Sequence, residues 1–287
     1  MVTVSQLRIY PIKSCAGIRI SQATLSAYGL ESDRRWMLID QDGQFLSQRT
    51  HPRMALICVA ISDDHVAVSA SGAPPLVFFA DSSRGAQAFT VGIWRDSVRV
   101  YDCGDAPGLW FSEFLNCKCR LVVLDDTYRR VVDADWTQGT SASTTLTDGF
   151  PLLVIGENSL NDLNARLLQK GAPQADIRQF RPNVVLRGLE PYEEDYLDTL
   201  TMLANEKEVI IKLVKPCTRC VITTVNQDLG ERNSGWNNEP LETLCTYRSN
   251  ARVGGAISFG QNAIVLSEDS TVIHEGIEVE VNYAFND

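Results

Sequence analysis

Long apolar runs are missing from this chain. The longest, residues 54–61, falls far short of the roughly 18 residues that a membrane-crossing helix needs, and no apolar segment follows Met1. These absences predict a cytoplasmic protein with no membrane attachment and no processing. Basic character is also scarce: 26 Lys and Arg stand against 36 Asp and Glu, a formal charge of −10, and the basic runs end at the pairs Arg34-Arg35 and Arg129-Arg130. A nucleic-acid partner, which would need a cationic footprint, is therefore not expected. Walker A, Gly-x-Gly-x-x-Gly and Gly-x-Ser-x-Gly are all absent, which leaves nucleotide-loop and serine-hydrolase chemistry without a motif. Histidine is rare. His51, His65 and His274 lie in separate segments without a second His or a carboxylate at ligand spacing, so each reads as a surface or turn residue.

What remains is 287 residues of ordinary globular composition, 44% hydrophobic and 22% charged, enough for two modest domains or one large one. The first hundred residues read as short strands at 4–10, 36–39, 45–46, 66–68, 76–79 and 97–101. Gln41-Asp42-Gly43 marks a hairpin. A helix opens at Asp105 as N-cap, carries Trp110, Phe111, Phe114 and Leu115 on one face, and ends near Asn116. A new strand at 121–124 and a polar tract at 125–145 place a domain boundary near residue 120, giving domains 1–120 and 121–287. In the second, Ser159 is expected to cap a helix with Leu160, Leu163, Leu167 and Leu168 as its stripe and Gly171 as its stop. Strands at 152–155, 184–186, 209–214, 220–225, 263–266 and 277–281 are too short and numerous for a doubly wound sheet. They predict a mainly β, α+β chain: a β-rich domain followed by a β-barrel with inserted helices.

Eight cysteines without a secretion signal read as reduced thiols, some of them small core hydrophobes. Cys117-Lys118-Cys119 and Cys217-Thr218-Arg219-Cys220 together offer four thiols. Strand alternation would place Cys217 and Cys220 on opposite faces, and 220–225 reads as strand, which disfavours a zinc knuckle. A thioredoxin-like pair would open a helix, and this one precedes a strand.

The segment from Lys215 to Asn226 resembles the MOSC domain, the molybdenum cofactor sulfurase C-terminal domain, in the form preceded by an N-terminal MOSC β-barrel domain. Tyr10-Pro11-Ile12-Lys13-Ser14-Cys15, Asp33-Arg34-Arg35-Trp36, Asp148-Gly149-Phe150-Pro151, Phe180-Arg181-Pro182-Asn183 and Phe259-Gly260-Gln261-Asn262 follow in the family's order. In layout the chain is similar to amidoxime-reducing components and their bacterial relatives. The resemblance implies a molybdenum cofactor carried by a pyranopterin dithiolene (molybdopterin), with the thiolate of Cys220 as metal ligand, a soft donor suited to such a metal. Arg219 beside it would help lower the thiol pKa. Lys13, Ser14, Arg34 and Arg181 match positions that contact the pterin, where Arg34 and Arg181 could otherwise be solvated charges. Asn183 could donate and accept on a heterocycle edge, and Pro182 would restrict Arg181 to an extended backbone. Asp148 matches an acid near the metal and is assigned proton delivery or pterin contact, against a plain turn carboxylate.

The activity implied is reduction of small N-hydroxylated substrates. The chain has no Cys-x4-Cys-x2-Cys ferredoxin spacing, so electrons are expected from a separate flavin or iron–sulfur donor. Two alternatives stay open. Related domains sit beside a pyridoxal-phosphate cysteine desulfurase module, so Cys220 or Cys217 could carry sulfur as a persulfide, or the chain could carry molybdopterin without turnover. Asn226, where the family often has Asp, removes a negative charge beside the expected ligand.

Overall fold

The computed structural model describes residues 1–81, 87–267 and 270–284. The first strand, Val2–Ile9, buries Val4, Leu7 and Ile9. Val4 and Leu7 share an interior although they break strict alternation, because a register shift between Val4 and Gln6 inserts an extra residue. This strand pairs with Val184–Arg187 on one side and with Glu278–Tyr283 on the other. The ladder continues through Leu197–Ala204, Lys207–Thr218, Ala256–Val265 and Leu152–Gly156. The last of these returns to Val184–Arg187, closing a seven-stranded barrel. Leu7, Val154, Leu186, Leu200, Met202, Ile211 and Ala263 fill its core, all buried on the inward side of their strands. The mainly β reading therefore holds.

A second, antiparallel sheet orders Trp36–Ile39, Arg120–Leu124, Asp96–Asp102 and Phe89–Ile93. The helix Asp105–Leu115 and the meander Cys58–Ile61, His65–Ala70 and Ala73–Phe79 pack beside it around Trp110, Phe111 and Phe114. Pairing cuts across a division near residue 120. Arg120–Leu124 joins the N-terminal sheet, while Val2–Ile9 and Gln22–Ser26 pair with C-terminal strands. No helix among the described residues is long and apolar enough to cross a membrane.

Several local expectations change for long-range reasons. The first helix is capped by Gly104 at φ 94, and Asp105 instead pairs with Arg120. The helix Glu157–Lys170 begins two residues before Ser159. Its N-terminus is satisfied from afar by the buried Glu194, which accepts from Gly156 N and from Ser159 Oγ. Leu168 is 66% exposed, so the buried stripe runs through Leu163 and Leu167. Residues 220–225 are not a continuous strand. Lys207–Thr218 shifts register on both sides of Pro216, whose missing N–H cannot serve the ladder, and Val221–Thr224 forms a 3-10 turn.

Gly17 is demanded by close approach. A Cβ on Gly17 would stand 2.3 Å from the Tyr10 ring. Gly17→Ala is expected to lose about 1–3 kcal/mol through overpacking. Urea unfolding should show a lower midpoint with an unchanged slope.

Candidate functional site

Lys13, Ser14, Arg34, Asp148, Arg181, Asn183 and Cys220, all singled out from sequence, line one cavity of about 130 Å3. Three of them have left-handed backbones rare for side-chain-bearing residues: Ser14 at φ 67, Arg34 at φ 47 and Arg181 at φ 58. Such conformations persist where the surrounding structure over-determines them. Arg181 is therefore not extended. It is the left-handed C-cap of the single helical turn Ile177–Phe180, despite the proline that follows.

Tyr10 organises the cationic wall. Its buried ring lies between the guanidinium groups of Arg34, at 4.3 Å, and Arg181, at 4.2 Å, and its hydroxyl donates to Pro182 O. Arg34 donates to the buried Asp33 carboxylate, to Asn183 Oδ1 and to Arg181 O. Asn183 spends the rest of its amide inside the protein, donating to Arg8 O and accepting from Leu153 N. It orients Arg34 and has little left for a heterocycle edge. Arg181 Nη1 donates to Cys15 O at 2.6 Å, while its buried Nη2 has no partner among the described residues. Burial, then the neighbouring Arg34, lowers Arg181 to about 10.

Also in the lining, the buried Lys13 Nζ donates to Leu146 O and, at 2.6 Å, to Asp148 Oδ1. Trp94 Nε1 donates to the same oxygen at 3.0 Å. Burial pushes the ammonium down to about 8 against the opposing pull of Asp148. Desolvation alone would raise the Asp148 carboxyl, but Lys13, Trp94 and Arg49 outweigh it and hold the acid below the usual carboxylate range. Asp148 is therefore an ionised anchor near neutral pH, and Lys13 is the group that titrates there.

The sign of a pH effect follows. Between about 8 and the unfolded value near 10.4, unfolded Lys13 holds more protons than folded Lys13, so this group's contribution to stability rises with pH. Relative to Lys13→Met, the wild type should gain up to about 1.4 kcal/mol per pH unit in that window. Urea unfolding of both proteins at about pH 7.5, below that window, and at about pH 9.5, within it, checks this.

Cys220, half-buried, lies two residues past the barrel strand Lys207–Thr218 and opens the turn Val221–Thr224. Its Sγ receives Arg49 Nη2 at 3.4 Å, and Arg49 stacks on Trp94 at 4.2 Å. Arg219, the cation expected beside it, instead donates to Phe180 O and Phe259 O. Cys217 lines the same cavity instead of the opposite face, because strand alternation ends at Thr218. Burial pushes the Cys217 thiol up against the pull of Arg219. Burial likewise takes Cys15 to about 12 and Cys119 to about 11, and all eight cysteines are free. Arg49 and Trp94 escaped sequence reasoning. The available signal was a Trp in a short hairpin loop, where it has no core to fill.

Among the described residues, five cationic ones, Lys13, Arg34, Arg49, Arg181 and Arg219, thus line a cavity with one lining carboxylate, Asp148, in a chain of net charge −10. The arrangement favours an anionic guest beside a thiol.

Residues 1–118 match the MOSC N-terminal beta barrel domain and residues 142–280 match the MOSC domain. The chain is 34% identical over 255 residues to mitochondrial amidoxime-reducing component 1 of Mus musculus, covering 86% of this chain and 71% of that protein. The human protein of that name is also 34% identical, over 256 residues, with 86% of this chain and 72% of that one covered. Human molybdenum cofactor sulfurase is 28% identical over 245 residues, covering 80% of this chain and 27% of its own length. With both halves matched and a fold built around a closed barrel, the chain belongs to the MOSC family, in the form that joins the N-terminal beta barrel domain to the MOSC domain.

Proposed function

We propose that the cavity binds a molybdenum–molybdopterin cofactor with Cys220 Sγ as a metal ligand, and that the protein reduces small N-hydroxylated molecules with electrons from a separate flavin or iron–sulfur protein. The observation that carries this reading is the convergence of Cys220 with Lys13, Arg34 and Arg181 on one cavity. The residues suit the guest. Arg181 Nη2 is a buried donor without a partner among the described residues, the wall is in cationic excess for a phosphate-bearing heterocycle, and Cys220 is a soft donor. The relatives named for amidoxime reduction support the choice of substrate class.

When bound, the cofactor supplies a two-electron redox centre for removing oxygen from nitrogen. The chain's own residues hold and protonate. Arg34 and Arg181, stacked on Tyr10, hold the anionic end, with Asn183 fixing Arg34. Lys13, lowered to about 8, is matched to holding and giving a proton near neutral pH, while Asp148 keeps it in place and stays ionised. This moves proton delivery from Asp148 to Lys13.

The test is the molybdenum and pterin content per mole of protein from a cofactor-competent host, followed by benzamidoxime reduction with a chemical electron donor. Near-stoichiometric cofactor with turnover is expected. Cofactor without turnover would mean a carrier, and neither metal nor pterin would overturn the reading. Because Cys217 and Cys220 share the cavity, sulfur carriage is the second reading, favoured by a relative named as a sulfurase. Its signature is a persulfide, a gain of about 32 Da on one of these cysteines.

A further inference from the structure

A hairpin position with positive φ normally takes Gly, because a side chain there meets its own backbone. Residue 94, in the two-residue loop joining Phe89–Ile93 to Asp96–Asp102, is nevertheless a tryptophan at φ 57. It is 48% exposed, so it is not filling a core. Three contacts hold it: Nε1 donates to Asp148 Oδ1 at 3.0 Å, Arg49 lies over the ring at 4.2 Å, and Phe45 meets it edge-on at 5.0 Å. All three partners line the cavity, and Arg49 also reaches Cys220 Sγ. A strained, half-exposed indole fastened to the site's own side chains is an outlier that points to function.

We propose that Trp94 is a specificity-determining residue: a planar, conjugated N-hydroxylated base stacks on the indole surface left open by Arg49 and Phe45, while Asp148 accepts from its N–H group. Both protein bonds to Asp148 fall on Oδ1, and Oδ2 of this 68% exposed side chain has no hydrogen bond among the described residues. The carboxylate is held ionised by Lys13, so it accepts from substrate N–H without itself taking a proton. Offset stacking rewards a flat π system over an alkyl group of similar polarity. This inference rests on the reductase reading and names the substrate class within it.

The experiment uses the full chain carrying its cofactor, without an electron donor so that nothing turns over. It is titrated calorimetrically with benzamidoxime and with acetamidoxime. Wild type should prefer benzamidoxime by about tenfold. Trp94→Phe, which keeps a ring, should retain most of that preference. Trp94→Gly, which suits φ 57, should keep molybdenum content and Tm while its preference falls below about twofold. Trp94→Leu, apolar but without a π face, carries the same expectation should the glycine variant fail to fold. An unchanged preference in Trp94→Gly or Trp94→Leu overturns the proposal. Absence of molybdenum and of turnover would overturn the reductase reading instead. The binding ratio is read without turnover, so the two failures are separable.

Discussion

Cys220→Ala should leave the fold standing and strip the protein of molybdenum. The side chain is half-buried and its polar contact is a 3.4 Å approach of Arg49, so truncation should cost no more than about 1 kcal/mol of stability. The metal would lose the thiolate proposed to bind it. Retention should drop by more than about tenfold, since even residues that merely orient a ligand cost that much. Reduction of N-hydroxylated substrate should fall with it. Cys217→Ala is the matched control: the same cavity, a thiol pushed up by burial, and retained molybdenum. Elemental analysis and circular dichroism on both variants give the answer. Full metal in Cys220→Ala with loss in Cys217→Ala would transfer the ligand assignment to Cys217, and full metal in both would end the thiolate model.

Arg34→Met should be the most destabilising change at the site. Asp33 is 1% exposed, and Arg34 is the cation bonded to its carboxylate. Arg34 also bonds Asn183 Oδ1 and Arg181 O and stacks on Tyr10. Removing it leaves the buried Asp33 charge without its cation and the Arg181 carbonyl without its donor, while Asn183 Oδ1 keeps Leu153 N, for a loss of about 3–5 kcal/mol in urea unfolding. Arg34→Lys should recover only part, because a point charge cannot reproduce the planar fork or the stack. Combining Arg34→Met with Asp33→Asn should recover a larger part, since the stranded charge is then gone, and the double-mutant cycle reads that coupling directly. A loss under about 1 kcal/mol in Arg34→Met would show a solvated pair and return Arg34 to the surface-charge reading.

These two residues were legible for the same reason. Arg34 and Cys220 stand inside short segments whose order along the chain matched a family pattern, and such order survives without coordinates. Secondary structure was legible where it is local. The stripe of Trp110, Phe111 and Phe114 and the stop at Gly171 depend on periodicity and backbone conformation within a few residues. Ser159 was misread as a cap because the true partner of that helix end, Glu194, comes from another segment. The strand expected at 220–225 failed because the bulged path around Pro216 is settled by pairing with Ala256–Val265. Asn183 looked free for a ligand until its amide was found spent on Arg8, Leu153 and Arg34.

By itself the sequence determined a β-rich chain, reduced cysteines, a MOSC layout and seven of the residues that line the cavity. Tertiary structure alone decided the rest: that the first and last strands close one barrel, that Arg49 and not Arg219 meets Cys220, that Asp148 is held ionised by Lys13, and that Trp94 donates to Asp148. The physical reason is range. Strand and helix propensity act over a few residues, whereas charge state, burial and hydrogen-bond partnership are set by groups that only folding brings within a few ångströms.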